Sequence, residues 1–264
     1  MYDLNYIKPK TLDEAVSEFE KSSEGQYLAG GMTLIPTLKS RLSSSDMLID
    51  LVDSDIQGIN VSGNSLVVKA MTTHSEVSNS ADVKKSIPSL SDLAGQIGDH
   101  MVRNRGTIGG SVANNDPSAC YPSAVLALDA TIKTNKREIN SDDFFVGLFE
   151  TTLEEGELIK EFSFPIPDKS FYAKFSNPAS RYAIVGVFVA KFSDAVRVAV
   201  TGAGQNGVFR SKELEDALNK NFDSSAVEGV SLDSDMMFSD LHAQSDYRSH
   251  LVLEMVKRAV NNIS

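Results

Sequence analysis

The amino-acid sequence predicts an α+β chain, and three features carry that prediction. Strand-like and helix-like patterns alternate through roughly the first 160 residues, apolar strands then follow one another directly, and an apolar stripe at helical spacing closes the chain. Taken in order, Thr11 with Glu14 three residues later has the form of a capping box, and Leu12, Ala15, Val16 and Phe19 recur at helical spacing. A helix is expected over about 11–21. After Gly25, Tyr27-Leu28-Ala29 reads as a short apolar strand, Gly30-Gly31 breaks it, and residues 33–39 read as a second helix with an early Pro36. A glycine turn thus links a strand to a helix.

Residues 47–51 read as a buried strand, and residues 65–70 as another after a Gly63-Asn64 turn. Leu90, Leu93, Ala94 and Ile97 give a helical stripe, residues 98–116 a polar glycine-rich loop, residues 117–130 a buried helix and residues 131–134 a strand. From about Glu161 the texture changes: residues 162–167, 171–176, 183–192 and 195–201 read as consecutive strands, and so as a separate sheet. Asp246 reads as the cap of a last helix carrying Leu251, Met255, Val256, Ala259, Val260 and Ile263. There is no internal repeat and no low-complexity linker. The change of texture, with Pro165 and Pro167, places a domain boundary near 165–175 and gives domains of 1–170 and 171–264.

The composition bounds the functions open to such a chain. Its 264 residues, 41% hydrophobic and 23% charged, suffice for two modest packed domains or one large one. A net charge of -11 and a pI near 4.8 argue against a nucleic-acid or anionic-membrane surface, which would repel the chain at long range. No apolar run approaches the roughly 20 residues of a spanning helix. Residues 1–6 carry neither the basic nor the apolar block of a signal peptide, so a cytoplasmic protein is expected. The single cysteine, Cys120, excludes an internal disulfide and cannot by itself hold an iron-sulfur cluster. His74, His100, His242 and His250 are scattered without metal-binding spacing, so no metal site is expected.

Two glycine-rich turns stand out, at Ala29-Gly30-Gly31-Met32-Thr33 and at Arg105-Gly106-Thr107-Ile108-Gly109-Gly110-Ser111. Each could present a concave run of backbone N–H groups to a phosphate, or could simply be a tight turn. The first also feeds a helix N-terminus. Arg103 and Arg105 bring positive charge to the second turn, or are solvated surface residues. Asn114, Asn115 and Asp116 suit the hydroxyls of a ribityl or ribose chain, and Asp116 equally suits a helix cap before Pro117. Residues 202–207 spell G-x-G-x-x-G, but no helix opens inside that motif and no acid-ended strand follows it, which argues against a Rossmann site. Cys120 reads as a small buried hydrophobe, His74 as a helix-start or loop residue without a catalytic partner, and Met236, Met237, Phe144 and Phe145 as core. The residues alone give a nucleotide-binding scaffold with no catalytic set.

Longer stretches narrow the choice. Residues 28–36 and 97–111 resemble the two FAD-binding motifs of the molybdenum hydroxylase flavoprotein family, which includes the medium subunit of aerobic carbon monoxide dehydrogenase and the FAD domain of xanthine dehydrogenase. The likeness continues through 112–117, 124–130, 142–145, 172–175 and 246–251, nearly the whole chain, and the match at 104–117 is highly specific. It implies the two-lobed FAD-binding fold of the vanillyl-alcohol oxidase and p-cresol methylhydroxylase type, with lobes of about 1–57 and 58–170, then a small C-terminal domain of antiparallel sheet and helix. It further implies FAD contacts from Leu28, Ala29, Gly30, Gly31, Met32, Thr33, Leu34, Ile97, Thr107, Ile108, Gly109, Gly110, Ser111, Asn115, Asp116, Ile159 and Lys174. The family often has an acidic residue where Cys120 stands, one that touches FAD in xanthine-dehydrogenase-like domains; here Cys120 is expected to pack beside the cofactor.

The resemblance implies an electron relay. A molybdenum large subunit oxidises the substrate, 2Fe-2S clusters in a small subunit carry electrons, and FAD in this chain collects them for an external acceptor. The molybdenum cofactor and clusters are then expected only in partner subunits, in a dimer of heterotrimers. A free-standing flavin oxidoreductase would need an acid or base over the flavin ring, for which the sequence offers no candidate.

Overall fold

A computed structural model describes residues 1–263, and every statement of absence below refers to those residues. The chain begins with β1 (Asn5–Ile7), α1 (Leu12–Lys21), β2 (Gly25–Leu28), α2 (Leu34–Lys39) and β3 (Met47–Asp50). It continues with β4 (Ile59–Ser62), β5 (Ser65–Lys69), α3 (His74–Asn79), α4 (Ala81–Ser86), α5 (Pro88–Gly95), α6 (His100–Arg105), α7 (Ile108–Asn114) and α8 (Tyr121–Ala127). Next come β6 (Thr131–Thr134), β7 (Glu138–Asn140), β8 (Phe145–Gly147), β9 (Glu150–Thr151), β10 (Ile159–Pro165), β11 (Lys169–Ser176), β12 (Ala183–Lys191), β13 (Val196–Thr201), β14 (Phe209–Arg210), α9 (Lys212–Lys220) and α10 (Ser245–Asn262). The α+β prediction holds, with the strands in three principal sheets.

The first sheet is parallel, in order β1-β3-β2, so its strands end together and α2 starts just beyond the end of β2. The second, β4-β5-β10-β6-β7, is antiparallel. The third, β11-β12-β13-β14, is antiparallel and covered on both faces. Val185, Val187 and Val189 of β12 pack into the core formed with α10, while the alternate Phe188 and Ala190 join the larger core beneath α8. Burial on both faces is why β12 is continuously apolar instead of alternating.

Several expectations need correction. The strand expected at 162–167 does not belong to the third sheet: β10 lies between β5 and β6, because Phe162 and Phe164 alternate onto the larger core. β4 escaped the sequence reading because it is a four-residue edge strand, Ile59-Asn60-Val61-Ser62, most of it exposed, whose alternation is too short to stand out. The glycine-rich stretch 98–116 holds two short helices, capped by Asp99 and Thr107, whose side chains accept from Val102 N–H at 2.9 Å and Gly110 N–H at 3.1 Å. The helix expected from Pro117 starts only at Tyr121, and Asp116 accepts the Ser118 N–H at 2.8 Å in a local turn instead of capping it. Asp246 is not the final cap, since α10 begins at Ser245 and the Asp246 carboxylate accepts the adjacent Tyr247 N–H. Glu14 reaches the Lys10 N–H, one residue short of closing the capping box with Thr11. Met237 and Phe144 are core, but Met236 is exposed.

Residues 202–207 form the turn between antiparallel β13 and β14, and no helix opens there. The third sheet is tied to the preceding segment at this turn. Thr201 Oγ1 lies 2.9 and 2.7 Å from the Pro117 and Ala119 carbonyls, and Gly202 N–H donates to Pro117 at 2.8 Å. Arg248 on α10, fully buried, donates to the Ile184 and Gly202 carbonyls and pairs with Asp240 at 2.8 Å. Removing its guanidinium strands two buried carbonyls. Arg248→Met is expected to lower the unfolding free energy by about 3 kcal/mol, read from urea denaturation.

Candidate functional site

A cleft of about 760 Å³ opens where the three sheets meet. Gln26, Tyr27 and residues 29–34 line it from the first sheet; Ala70, Met71, His74 and segments of 97–120 and 153–159 line it from the second; Lys174 and residues 179–182 line it from the hairpin joining β11 to β12. The volume lies in the upper part of the roughly 300–1,000 Å³ usual for small-molecule sites.

The two glycine turns touch each other at its centre. A Cβ at Gly30 would overlap the Arg105 carbonyl, and one at Gly110 would stand 3.3 Å from the Ala29 Cβ. Gly31 has φ +72, open to glycine and costly for other residues. The amide N–H groups of Gly30, Gly31, Met32, Thr33 and Leu34 have no protein acceptor; the next, Ile35, donates to the Gly31 carbonyl at 3.1 Å. Five consecutive free amides form the concavity that suits an anion.

The second turn differs from expectation. Its amides are already engaged, Ile108 with the Thr72 carbonyl at 3.1 Å, Gly109 with Ala70 at 2.8 Å, and Gly110 with Thr107 Oγ1 at 3.1 Å. Gly109 is glycine for a structural reason, since a Cβ there would lie 2.6 Å from the Ala70 Cβ. What this segment offers the cleft is side chains, those of Thr107, Ser111 and Asn114.

Of the residues expected at the site, Ala29, Gly30, Gly31, Met32, Thr33, Leu34, Ile97, Thr107, Gly109, Gly110, Ser111, Asp116, Ile159 and Lys174 line the cleft together. Leu28, Ile108 and Asn115 do not, and the physical reasons are local. Leu28 and Ile108 turn inward and are buried. Asn115, in a left-handed conformation at the end of α7, uses its side-chain amide on the Gly147 and Glu150 carbonyls at 2.8 and 2.9 Å. Arg103 donates to the Ile97 and Gly98 carbonyls and does not line the cleft. Cys120 lines it while 5% exposed. Tyr27, Leu51, Met71, Leu153, Leu158 and Tyr182 also line it, yet no local pattern marks them, because they arrive from distant segments.

Burial raises the Asp116 carboxyl above the usual carboxylate range, offset in part by the Ser118 N–H it accepts. Lys174 Nζ donates to the Gln96 carbonyl at 3.0 Å and ties the third sheet to the cleft wall. His74 is the first residue of α3; its main-chain N–H donates to the Gly106 carbonyl at 2.9 Å and its ring packs 5.3 Å from that of Tyr121. Its Nδ1 is enclosed without a partner, and the buried ring forms part of the cleft wall.

Comparison with known proteins gives this cleft its class. The family described as the FAD binding domain in molybdopterin dehydrogenase matches residues 2–167. The chain belongs to that family and is an FAD-binding oxidoreductase subunit of the molybdenum hydroxylase type. The carbon monoxide dehydrogenase medium chain of Hydrogenophaga pseudoflava is 31% identical over 274 residues, covering 97% of this chain and 95% of that one. The glyceraldehyde dehydrogenase medium chain of Sulfolobus acidocaldarius is 29% identical and covers 99% of each. Reconstituted carbon monoxide dehydrogenase from Oligotropha carboxidovorans superposes with a TM-score of 0.91 at 27% identity, over 98% of this chain and 97% of that chain. No helix is long and apolar enough to cross a membrane.

The residues present fit FAD. The free amides at 30–34 suit a pyrophosphate, and the cleft of about 760 Å³ is of the size of a cofactor site. The wall also carries a pH signature. Burial, with Arg103 nearby, pushes the His74 imidazole down to about 4, whereas the unfolded chain takes the proton near about 6.5. Stability is therefore complete above about pH 6.5 and falls as the pH drops towards 4, by about 3 kcal/mol over that window. His74→Gln is expected to remove this part of the slope, measured as urea unfolding free energies at about pH 7.5 and about pH 4.5.

Proposed function

We propose that this chain is the electron-transfer subunit of a molybdenum-containing hydroxylase, receiving electrons from 2Fe-2S clusters of a small subunit and releasing them to an external acceptor. The observation that carries this reading is the row of five free amides at residues 30–34 where two glycine turns touch inside one long cleft. FAD supplies electron exchange in single or paired steps, and the protein supplies position and electrostatics. The amides of Gly30, Gly31, Met32, Thr33 and Leu34 hold the pyrophosphate, while Ala29, Thr107, Gly109, Gly110 and Ser111 close the opposite side. Asp116, with Asn114, binds cofactor hydroxyls. Ile97, Ile159 and Lys174 flank the remaining parts of FAD. Under this reading the FAD-binding unit spans 1–170, with lobes of about 1–57 and 58–170, and residues 171–264 form the second domain.

The relatives named as medium chains support partner subunits that carry iron-sulfur clusters and molybdenum. Two copies of each subunit, assembled in the cytoplasm as a dimer of heterotrimers, complete the proposal. Burial and Arg103 push the His74 imidazole down to about 4, so a buried ring held neutral is the imidazole this cleft offers, which supports the relay over a self-contained flavin oxidoreductase.

The chain purified alone is expected to show flavin absorption bands with close to one FAD per chain and no iron-sulfur signature; a colourless protein that takes up no added FAD would refute the reading. Thr33→Asp tests the amides directly. It places a carboxylate at an exposed position in the first turn of α2, where the helix dipole tolerates a negative charge, while the pyrophosphate meets a like charge. The expected result is an FAD dissociation constant raised about tenfold or more, with no loss of thermal stability, by fluorescence titration.

A further inference from the structure

The hairpin of β8 and β9 carries three large apolar side chains in the open: Val146 is 57% exposed, Leu148 49% and Phe149 61%. Single apolar residues on a surface need no account, but a cluster on one turn does. Phe149 stands at φ +56, a conformation that bulky residues rarely adopt. Its N–H donates to the Asn115 carbonyl at 3.2 Å, and the Asn115 side chain donates to the carbonyls on either side of the tip, those of Gly147 and Glu150. A buried asparagine therefore fixes the hairpin with its apolar tip outward. The sequence neighbours of Asn115, namely Asn114 and Asp116, line the FAD cleft, so the tip stands at the edge of that cleft.

We propose that this hairpin is the docking surface for the iron-sulfur partner that delivers electrons to the flavin. The inference rests on the relay reading above. A donor must stay close to the flavin through every turnover, and a lasting subunit contact buries an apolar patch, whereas a small diffusible acceptor needs none. Charge selects among the possible occupants. Asp143 and Glu150 flank the tip, exposed and without ion-pair partners among the described residues, so the complementary surface is an apolar socket rimmed by Lys and Arg. A second copy of this chain, with a net charge of -11, would meet repulsion there.

The test uses the tagged full chain expressed in its source cells, as wild type and as the double variant Leu148→Asp, Phe149→Asp, with Leu42→Asp as a surface control at a site 80% exposed. Aspartate tolerates the left-handed conformation at position 149 better than phenylalanine, so the fold is preserved. FAD per chain, iron per chain and the paramagnetic signal of reduced 2Fe-2S clusters are measured in each purified protein. The expected result is full FAD in all three, iron in the wild type and the control, and iron lowered about tenfold or more in the double variant. A double variant that keeps wild-type iron overturns the proposal, as does one that loses FAD together with iron, or one that changes only the self-association of the chain in size-exclusion chromatography. A wild type that carries FAD but never iron removes the relay reading itself, and this inference with it.

Discussion

The site depends on the close approach of two pieces of main chain. Gly30 lies against the Arg105 carbonyl, Gly110 against Ala29, and Gly109 against Ala70. None of these separations admits a Cβ without movement, and each links segments far apart in sequence. At this contact the amides of residues 30–34 have no protein acceptor, and the same residues line the cleft. The same contact satisfies the start of α7 through the Thr72 and Ala70 carbonyls. One turn keeps its amides free and the other has them bonded, although their sequences look alike.

The third sheet stabilises this arrangement from the other side. Its two faces serve different cores, and its turn at Thr201 and Gly202 holds the carbonyls of Pro117 and Ala119, within the segment that forms the Asp116 to Cys120 wall. Arg197 and Arg210 both reach Asp142, at 2.6 and 2.7 Å, so an ion-pair network joins β13 and β14 to the segment before β8. Exposed ion pairs of this kind contribute little singly, and networks contribute more. The cleft is thus framed by elements that have their own reasons to be rigid, as a site that must fix a cofactor requires.

Electrostatics operates here at two ranges. At long range the acidic chain repels anions. At contact range free amides such as those of residues 30–34 can act against that field, because a dipole working across a few ångströms in a partly enclosed cleft is weakly screened. Net charge therefore argues against nucleic acid and anionic membrane surfaces without arguing against a phosphate-bearing cofactor.

Local chemistry was legible in the sequence wherever it needed only neighbours. Thr11 capping α1, the glycine break after β2, the apolar stripe of α10 and the unusual length of the 104–117 match to a known family were all available from residue order. The resemblance to that family also named fourteen residues that line the cleft. Tertiary structure alone decided which sheet β10 joins, since two buried phenylalanines suit either sheet and only packing chooses. It alone decided that the amides of the first glycine turn are free while Ile108 and Gly109 of the second are bonded, because their acceptors, at Thr72 and Ala70, lie far earlier in sequence. It also turned Leu28, Ile108 and Asn115 away from the cleft and brought Tyr27, Leu153 and Tyr182 into it. A sequence records which groups a chain carries and their local geometry; which of them stay unpaired depends on partners that only the fold brings within bonding distance.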